Sequence, residues 1–213
     1  RVTDVAVAEP RGDTYTMYVG GAAGGVWKTS SEGVTWENVF DDQVTASIGD
    51  IAIAPSAPSQ VWVGTGEANL FRSSHAGSGI YKSEDAGESW AHMGLTETQT
   101  IARVVVHPTN PDVVWVAAGG HEYRDSPDRG IYRTADGGRS WDKVLFVDEM
   151  TGGIDLVIHP QDPETLYAAT WQRRRAAFND PRNEPAFTGS YEDFTGSGGW
   201  KSTDGGLNWR EGN

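Results

Sequence analysis

The side chains best suited to chemistry in this sequence gather in three stretches. Each stretch combines acidic, basic, and amide or aromatic groups, the set that clefts use to bind carbohydrates or peptides. Together they supply the following candidate ligand-binding residues: Glu67, Asn69, Arg72, His75, His121, Tyr123, Arg124, Trp171 and Arg173. Arg103 is a further candidate, because Asp50, Arg103 and Asp155 each stand five positions before a proline. These three either form an ion-pair network or make Arg103 an anion clamp.

Carboxylates in the same stretches raise the possibility of glycoside hydrolysis. That reaction needs two acids about 5 to 10 Å apart that flank the scissile bond. Glu67 is the first candidate because it directly follows a predicted strand, and Glu122, Asp125 and Glu192 are the other acids available. The sequence does not give their separations, so hydrolysis stays an alternative to binding.

No metal site and no cofactor is predicted. The chain has no cysteine, and His107 and His159 both precede the proline of a repeated turn, which indicates a structural position. His121 and Glu122 are neighbours without the spacing of metal ligands. The glycine-rich run at 20–25 leads into a strand instead of a helix, so it lacks the geometry that cradles phosphate.

A repeated turn must position these candidates. Its signature, S/T-x-D-x-G-x-x-W, occurs at 83–90, 134–141 and 202–209, with a degraded copy at 29–36 in which Ser31 replaces the aspartate. In such a box the carboxylate accepts backbone N–H groups, glycine supplies a positive φ, and tryptophan anchors the returning strand. The structural residues predicted in this way are Asp85, Trp90, Asp136, Trp141, Asp204 and Trp209.

Three strands precede each box and one follows it, and we call them a, b, c and d. Strand a ends at a proline, strands b and c each carry an aromatic residue, and strand d starts at the box tryptophan. Repeated units of this kind predict an all-β fold, a β-propeller with four consecutive four-stranded blades, and a solenoid of hairpins is the alternative. The predicted blades span approximately 1–46, 47–100, 101–151 and 152–213, the last truncated because its strand d is cut off after Trp209.

The b–c loop is the variable part of each unit. The step from the strand-b aromatic to the strand-c aromatic is 9, 19, 17 and 33 residues, whereas the other spacings are nearly constant. In an up-and-down blade, the b–c and d–a loops lie at one end, which we call the b–c face, and the boxes lie at the other. Because loop variation on a rigid scaffold usually carries function, the b–c face is predicted to bind and the boxes to hold the blades together.

Tryptophan positions support the same division. Eight of the nine recur in the repeat and are predicted to pack between blades. They are Trp27, Trp36, Trp62, Trp90, Trp115, Trp141, Trp200 and Trp209. Trp171 is the exception, since it opens the longest loop, and it is the tryptophan predicted to contact a ligand.

Charge and hydropathy exclude several partners. The net charge is −13, which argues against nucleic acid and anionic membranes. No apolar run reaches the length of a membrane span, so no membrane insertion is predicted. The chain has neither an initiator methionine nor a signal sequence, so it is expected to be a processed or excerpted segment.

Several segments resemble Asp-box propellers, also known as bacterial neuraminidase repeat proteins. The likeness is greatest to bacterial secreted proteins with a sortilin-like propeller, which are often labelled glycosyl hydrolases. The segments that carry it are 24–29, 47–55, 63–68, 106–114 and 166–171. The resemblance implies a ring of more than four blades and a secreted or otherwise extracytoplasmic location. It assigns no catalytic residues, because the catalytic motifs of sialidases and xyloglucanases have no match in this sequence.

These observations predict a non-catalytic propeller that binds a polysaccharide or a protein on its b–c face. Glycoside hydrolysis by loop carboxylates is one alternative. A structural or assembly role is another, in which the sheet faces at the two ends pack against the remaining blades or another copy.

Overall fold

The computed structural model describes residues 1–9, 14–69, 74–173 and 195–212. Within these ranges the chain forms sixteen β-strands and one short 3-10 turn at Thr96–Thr98. None of the helical structure in the described ranges is long and apolar enough to cross a membrane.

The strands form four antiparallel sheets, and in each sheet the strands lie in chain order. Blade 1 contains β1 (Val2–Val7), β2 (Met17–Gly21), β3 (Gly25–Thr29) and β4 (Glu37–Asn38). Blade 2 contains β5 (Ile48–Ala54), β6 (Ala57–Thr65), β7 (Ile80–Ser83) and β8 (Ala91–His92). Blade 3 contains β9 (Ile101–Val106), β10 (Val114–Ala118), β11 (Gly130–Thr134) and β12 (Asp142–Leu145). Blade 4 contains β13 (Thr151–His159), β14 (Asp162–Gln172), β15 (Gly198–Ser202) and β16 (Arg210–Glu211). The predicted all-β architecture of four consecutive four-stranded blades is confirmed.

Three apolar cores lie between successive blades. Val61 and Val63 of strand β6 belong to the core shared with blade 1, whereas Trp62 between them belongs to the core shared with blade 3. This division follows from the two-residue period of a strand, which sends alternate side chains to opposite faces of the sheet. Because both faces of blade 2 are buried, the centre of β6 is an uninterrupted apolar run, Val61, Trp62 and Val63.

A cation stands opposite the strand-b aromatic in every blade. The register partners are Tyr18 with Lys28, Trp62 with Lys82, Trp115 with Arg133, and Tyr167 with Lys201. In blade 2 the Lys82 Nζ atom lies 5.4 Å from the centroid of the Trp62 ring, a cation–π contact. The pairing is visible in the sequence, because a basic residue follows the strand-c aromatic in all four units. A pattern built on the aromatic positions alone does not include it.

The Asp-box turns contain the internal hydrogen bonds expected of them. Asp136 Oδ1 accepts the backbone N–H of Ser140 at 3.0 Å, and Asp136 Oδ2 accepts the Ser140 hydroxyl at 2.6 Å. Gly138 has the required positive φ, 89°. The hydrogen bonds from Ser140 lower the pKa of Asp136, and equivalent bonds lower the pKa of Asp85 and of Asp204 to about 2.

Direct hydrogen bonds also join the boxes to neighbouring blades. They run from Trp90 Nε1 to Val39 O (2.7 Å), Trp141 Nε1 to Met93 O (2.7 Å), Tyr18 Oη to Ala86 O (2.8 Å) and Trp115 Nε1 to Gly205 O (3.0 Å). Trp90 and Trp141 therefore reach back to the preceding blade, while the box turns of blades 2 and 4 accept a bond from strand b of the preceding blade. The boxes are thus part of the contact between blades as well as turns within them.

The degraded first box offers a test of what the aspartate contributes. Ser31 Oγ accepts the backbone N–H of Thr35 at 2.9 Å and lies 2.8 Å from the Thr35 hydroxyl. A carboxylate would accept both groups at once, as Asp85 does from Ser89. We expect Ser31→Asp to raise the free energy of unfolding by about 1 kcal/mol at neutral pH, measured by urea denaturation. Ser30→Asp adds the same charge outside the hydrogen-bonded position, and equal effects of both changes would contradict the prediction.

Two expectations need correction. Strand d of the fourth blade was expected to be cut off after Trp209, but Arg210–Glu211 pairs with β15 and is as long as strand d of blades 1 and 2, so this sheet also has four strands. Trp27 and Trp36 were expected to pack between blades, yet they are 41% and 40% exposed. Both belong to blade 1, whose outer face has no neighbouring blade in the described chain.

Candidate functional site

One small pocket is lined by residues of all four blades. Strands β1, β5, β9 and β13 pack against one another in succession, which places them around a common axis. The pocket beside them has a volume of about 250 Å³, and we call it the axial pocket. Its lining includes Asp4, Asp50, Asn69, Arg103, Trp171 and Arg173. Four of the ligand-binding candidates, Asn69, Arg103, Trp171 and Arg173, are therefore brought together here.

A β-bulge precedes the same position in each of these inner strands. The residues that follow the irregularity are Asp4, Asp50, Arg103 and Asp155. A bulge re-aims the next side chain and ends regular pairing locally. The proline spacing in the sequence identifies the last three but misses Asp4, because the first unit has one additional residue between this position and its proline.

The acids of this ring satisfy backbone donors of the next blade. Asp4 Oδ2 accepts the N–H of Ile51 at 2.9 Å, and Asp50 Oδ2 accepts the N–H of Val104 at 2.7 Å. Burial raises the pKa of Asp50 to about 7, and the charge of Asp4 adds to this effect. The Val104 N–H and Arg103 act in the opposite direction without offsetting the burial.

Arg103 bridges the acids on either side of it. Its Nη1 atom lies 3.4 Å from Asp50 Oδ1, and its Nε atom lies 3.6 Å from Asp155 Oδ1. The ion pairs between blades that the sequence suggested are therefore present. The Arg103 side chain is still 44% exposed, and its Nη2 atom makes no hydrogen bond within the described ranges. Arg103 thus forms ion pairs with the neighbouring blades and also offers a hydrogen-bond donor, Nη2, at the axial pocket.

Trp171 supplies the aromatic surface of the axial pocket. It lies at the end of strand β14, is 47% exposed and pairs with Gly152, which has no side chain. The Arg173 Cζ atom lies 5.0 Å from the centroid of the Trp171 ring, and the Arg173 backbone N–H donates to Met150 O at 3.0 Å. An exposed indole and a guanidinium group therefore lie together at the pocket.

A buried arginine holds this region together. Arg129 is 1% exposed and donates to Met150 O at 2.6 Å and His121 O at 2.7 Å. Longer bonds of 3.4 Å and 3.3 Å reach the carbonyls of Arg173 and Arg124. Arg129 thereby joins the b–c loop of blade 3 to blade 4. The sequence alone does not single out Arg129, because no other repeat carries an arginine at this position.

The b–c loop of blade 3 carries three candidates that do not line the axial pocket. Tyr123 and Arg124 are exposed, and the backbone N–H of Tyr123 donates to His121 Nδ1 at 3.3 Å. Burial and the charges of Arg124 and Arg129 lower the pKa of His121, while Glu122 acts in the opposite direction. These side chains lie in a loop ordered by Arg129.

Glu67 and His75 line a different pocket. It has a volume of about 670 Å³ and also includes Arg1 and Trp27. Glu67 is 1% exposed and forms an ion pair with Arg1. No second carboxylate is found among the described residues that line this pocket. The structure therefore does not place a hydrolytic pair around Glu67. The candidate Arg72 and the alternative acid Glu192 lie outside the described residues.

Four antiparallel blades joined by Asp-box turns define this chain as a segment of an Asp-box β-propeller. Residues 78–213 match the profile of the Sortilin-Vps10 family, described as sortilin, neurotensin receptor 3. This match covers well over half of the chain, which therefore belongs to the Sortilin-Vps10 family.

Curated relatives include two xyloglucanases. A probable oligoxyloglucan-reducing end-specific xyloglucanase of Neosartorya fischeri is 26% identical over 143 residues, which are 63% of this chain and 16% of the relative. A xyloglucanase of Acetivibrio thermocellus is 26% identical over 145 residues, which are 62% of this chain and 14% of the relative. The chain therefore spans less than a fifth of the length of these relatives.

Solved structures confirm the fold. An ancestral GH74 enzyme has a TM-score of 0.69 and 22% identity, covering 98% of this chain and 23% of that one. The GH74 xyloglucanase of Xanthomonas campestris has a TM-score of 0.62 and 18% identity, covering 92% and 28%. YCF48 bound to a D1 peptide has a TM-score of 0.52 and 14% identity, covering 99% and 81%. This chain thus shares its fold with the GH74 enzymes and with YCF48.

Proposed function

We propose that this propeller segment recognises a polysaccharide on its b–c face without hydrolysing it. The observation that carries the proposal is the axial pocket, which collects Asn69, Arg103, Trp171 and Arg173 from three blades. A concave site with an aromatic wall and a few converging polar groups is typical of small-ligand recognition.

The burial of Glu67 supports binding over hydrolysis. Its carboxylate is enclosed in an ion pair with Arg1, and no other acid lines the same pocket among the described residues. A glycoside hydrolase needs one carboxyl group on each side of the bond. A polysaccharide ligand is in turn favoured by the relation to proteins named as xyloglucanases.

A protein or peptide ligand is the second candidate. The observation that favours it is the similarity to YCF48, whose structure was solved with a D1 peptide. Exposed aromatic and guanidinium groups such as Trp171 and Arg173 are also frequent anchors in protein recognition. Binding to an array that carries both polysaccharides and peptides separates the two ligand classes.

The outer faces of blades 1 and 4 favour further blades, or another copy of the chain, as a structural partner. Tyr167 is exposed, although its counterparts Tyr18 and Trp115 are buried and donate to the box of the next blade. Trp36 is exposed, although Trp90 donates to the preceding blade. Each outer face therefore resembles one side of the contact between successive blades, which occurs three times in this chain. We also propose a secreted or otherwise extracytoplasmic location, where extracellular polysaccharide would be available.

The proposal is tested by a polysaccharide and peptide array together with a reducing-sugar assay on the same substrates. We expect the chain to bind at least one polysaccharide and to release no reducing ends. Glu67→Gln should bind equally well, because its carboxylate lies outside the axial pocket. Turnover that is lost in Glu67→Gln would establish a hydrolase, and binding confined to peptides would favour the second candidate.

A further inference from the structure

The size, charge and aromatic wall of the axial pocket restrict what it can hold. We propose that it binds a single neutral sugar unit, with Trp171 as the stacking surface and Asp4, Asn69 and Arg103 as partners of the hydroxyl groups. This inference rests on the proposed function, since it identifies the part of the polysaccharide that the propeller reads.

The volume limits the ligand to a small group. Pockets that enclose drug-sized molecules measure about 300 to 1,000 Å³, and the axial pocket has only about 250 Å³. One sugar ring is the largest polysaccharide unit that such a space encloses.

The polar groups of the pocket match hydroxyl groups, which both donate and accept hydrogen bonds. Arg103 keeps a donor, Nη2, that makes no hydrogen bond within the described ranges. Asp4 uses Oδ2 for the Ile51 N–H, which leaves Oδ1 as an acceptor. Asn69 is exposed and offers an amide that does both. The pocket lining therefore offers both donors and acceptors.

The charges of the lining favour a neutral ligand. The lining carries basic and acidic side chains together, namely Arg103 and Arg173 with Asp4 and Asp50. An anionic ligand would approach Asp4 in a chain of net charge −13, and a cationic ligand would meet two guanidinium groups. An uncharged polyol avoids both penalties and still uses the charged side chains as strong hydrogen-bond partners.

Trp171 completes the recognition of a sugar ring. Its indole is 47% exposed, and the Arg173 guanidinium group that packs against it limits the orientations of the indole. A sugar presents C–H groups on its ring faces and hydroxyl groups around its edge. An indole beside polar side chains suits such a ring, because the indole contacts the C–H faces and the polar side chains bind the hydroxyl groups.

The test is an NMR titration of the 213-residue chain with glucose, galactose and xylose, and with glucuronate as the charged probe. The reporter is the indole N–H signal of Trp171, assigned by its loss in Trp171→Ala. We expect at least one neutral sugar to shift this signal and glucuronate to bind at least tenfold more weakly. The affinity of Asn69→Ala for the neutral sugar should fall at least threefold.

Calorimetry with the bound polysaccharide provides the matched comparison. Trp171→Ala should weaken binding at least tenfold, whereas Trp36→Ala, which removes an indole of similar exposure at the Asp-box end, should leave it unchanged. Circular dichroism and thermal unfolding verify that each variant is folded.

Three results would overturn the inference. The first is the absence of a Trp171 shift with every neutral sugar at tens of millimolar. The second is glucuronate binding as tightly as the neutral sugars. The third is unchanged polysaccharide affinity in Trp171→Ala, which would remove the pocket assignment but leave the proposed function standing. Failure of the unmodified chain to bind any polysaccharide would overturn the proposed function itself.

Discussion

Replacing Arg129 with methionine should lower the free energy of unfolding by about 3 kcal/mol or more. The guanidinium group donates to four backbone carbonyls, two of them at 2.6 and 2.7 Å, and methionine can satisfy none of them. Each buried carbonyl left without a donor costs about 1–3 kcal/mol. The measurement is a urea denaturation midpoint at neutral pH, with the slope of the transition checked for two-state behaviour.

The effect should also reach the axial pocket. Arg129 connects His121 and Arg124 in blade 3 to Met150 and Arg173 in blade 4, so its loss should displace the segment that follows Trp171. We therefore expect Arg129→Met to weaken ligand binding under conditions in which the chain is still folded.

Arg139→Met is the matched control for this replacement. The Arg139 side chain is exposed and makes a single bond of 3.2 Å to Asp136 O, so its loss should change stability by less than about 0.5 kcal/mol. Equal destabilisation by the two replacements would contradict the role assigned to Arg129. A fully stable Arg129→Met variant would do so as well.

Replacing Asp50 with asparagine should remove much of the pH dependence of stability between about pH 4 and 7. The pKa of Asp50 in the folded chain is about 7, well above its ordinary value, chiefly because the carboxyl group is buried. In this interval the unfolded chain has released the proton while the folded chain retains it. The stability of the unmodified chain should therefore fall as the pH rises from about 4 to about 7, and it should level off above about pH 7.

The size of the effect follows from the shift. A difference of one pKa unit corresponds to about 1.4 kcal/mol, so a shift of about three units amounts to about 4 kcal/mol at most. The asparagine side chain would retain an acceptor for the Val104 N–H without carrying a charge. Asp50→Asn should consequently be more stable than the unmodified chain at about pH 8, while the two should converge near about pH 4.

Thermal unfolding measured between about pH 4 and about pH 8 provides the check. Asp155→Asn is the matched control, because this acid also pairs with Arg103 but its side chain is 57% exposed, so it should keep the unmodified slope. The three box aspartates respond in the opposite sense, since their lowered pKa values cost stability only below about pH 4. If the stability of Asp50→Asn depended on pH as steeply as that of the unmodified chain, the raised pKa assigned to Asp50 would be contradicted.

The blade architecture was predictable because its information is local and repeated. The aspartate, glycine and tryptophan of a box such as 134–141 encode one turn through short-range hydrogen bonds and a positive φ, and these recur with constant spacing. The alternation of Val61, Trp62 and Val63 likewise specifies a strand buried on both faces. Trp171 was singled out by the same logic, because it departs from the repeat.

The grouping of the candidates was decided by the tertiary structure. Asn69, Arg103 and Trp171 are distant in sequence and meet only because four inner strands pack around one axis, whereas Glu67, two residues before Asn69, lies in another pocket. Asp4 escaped detection because one additional residue separates it from its proline, and Arg129 because no other repeat carries an arginine at its position. A site built between blades depends on distances and burial across the packed sheets, and neither of these is encoded in the spacing along one strand.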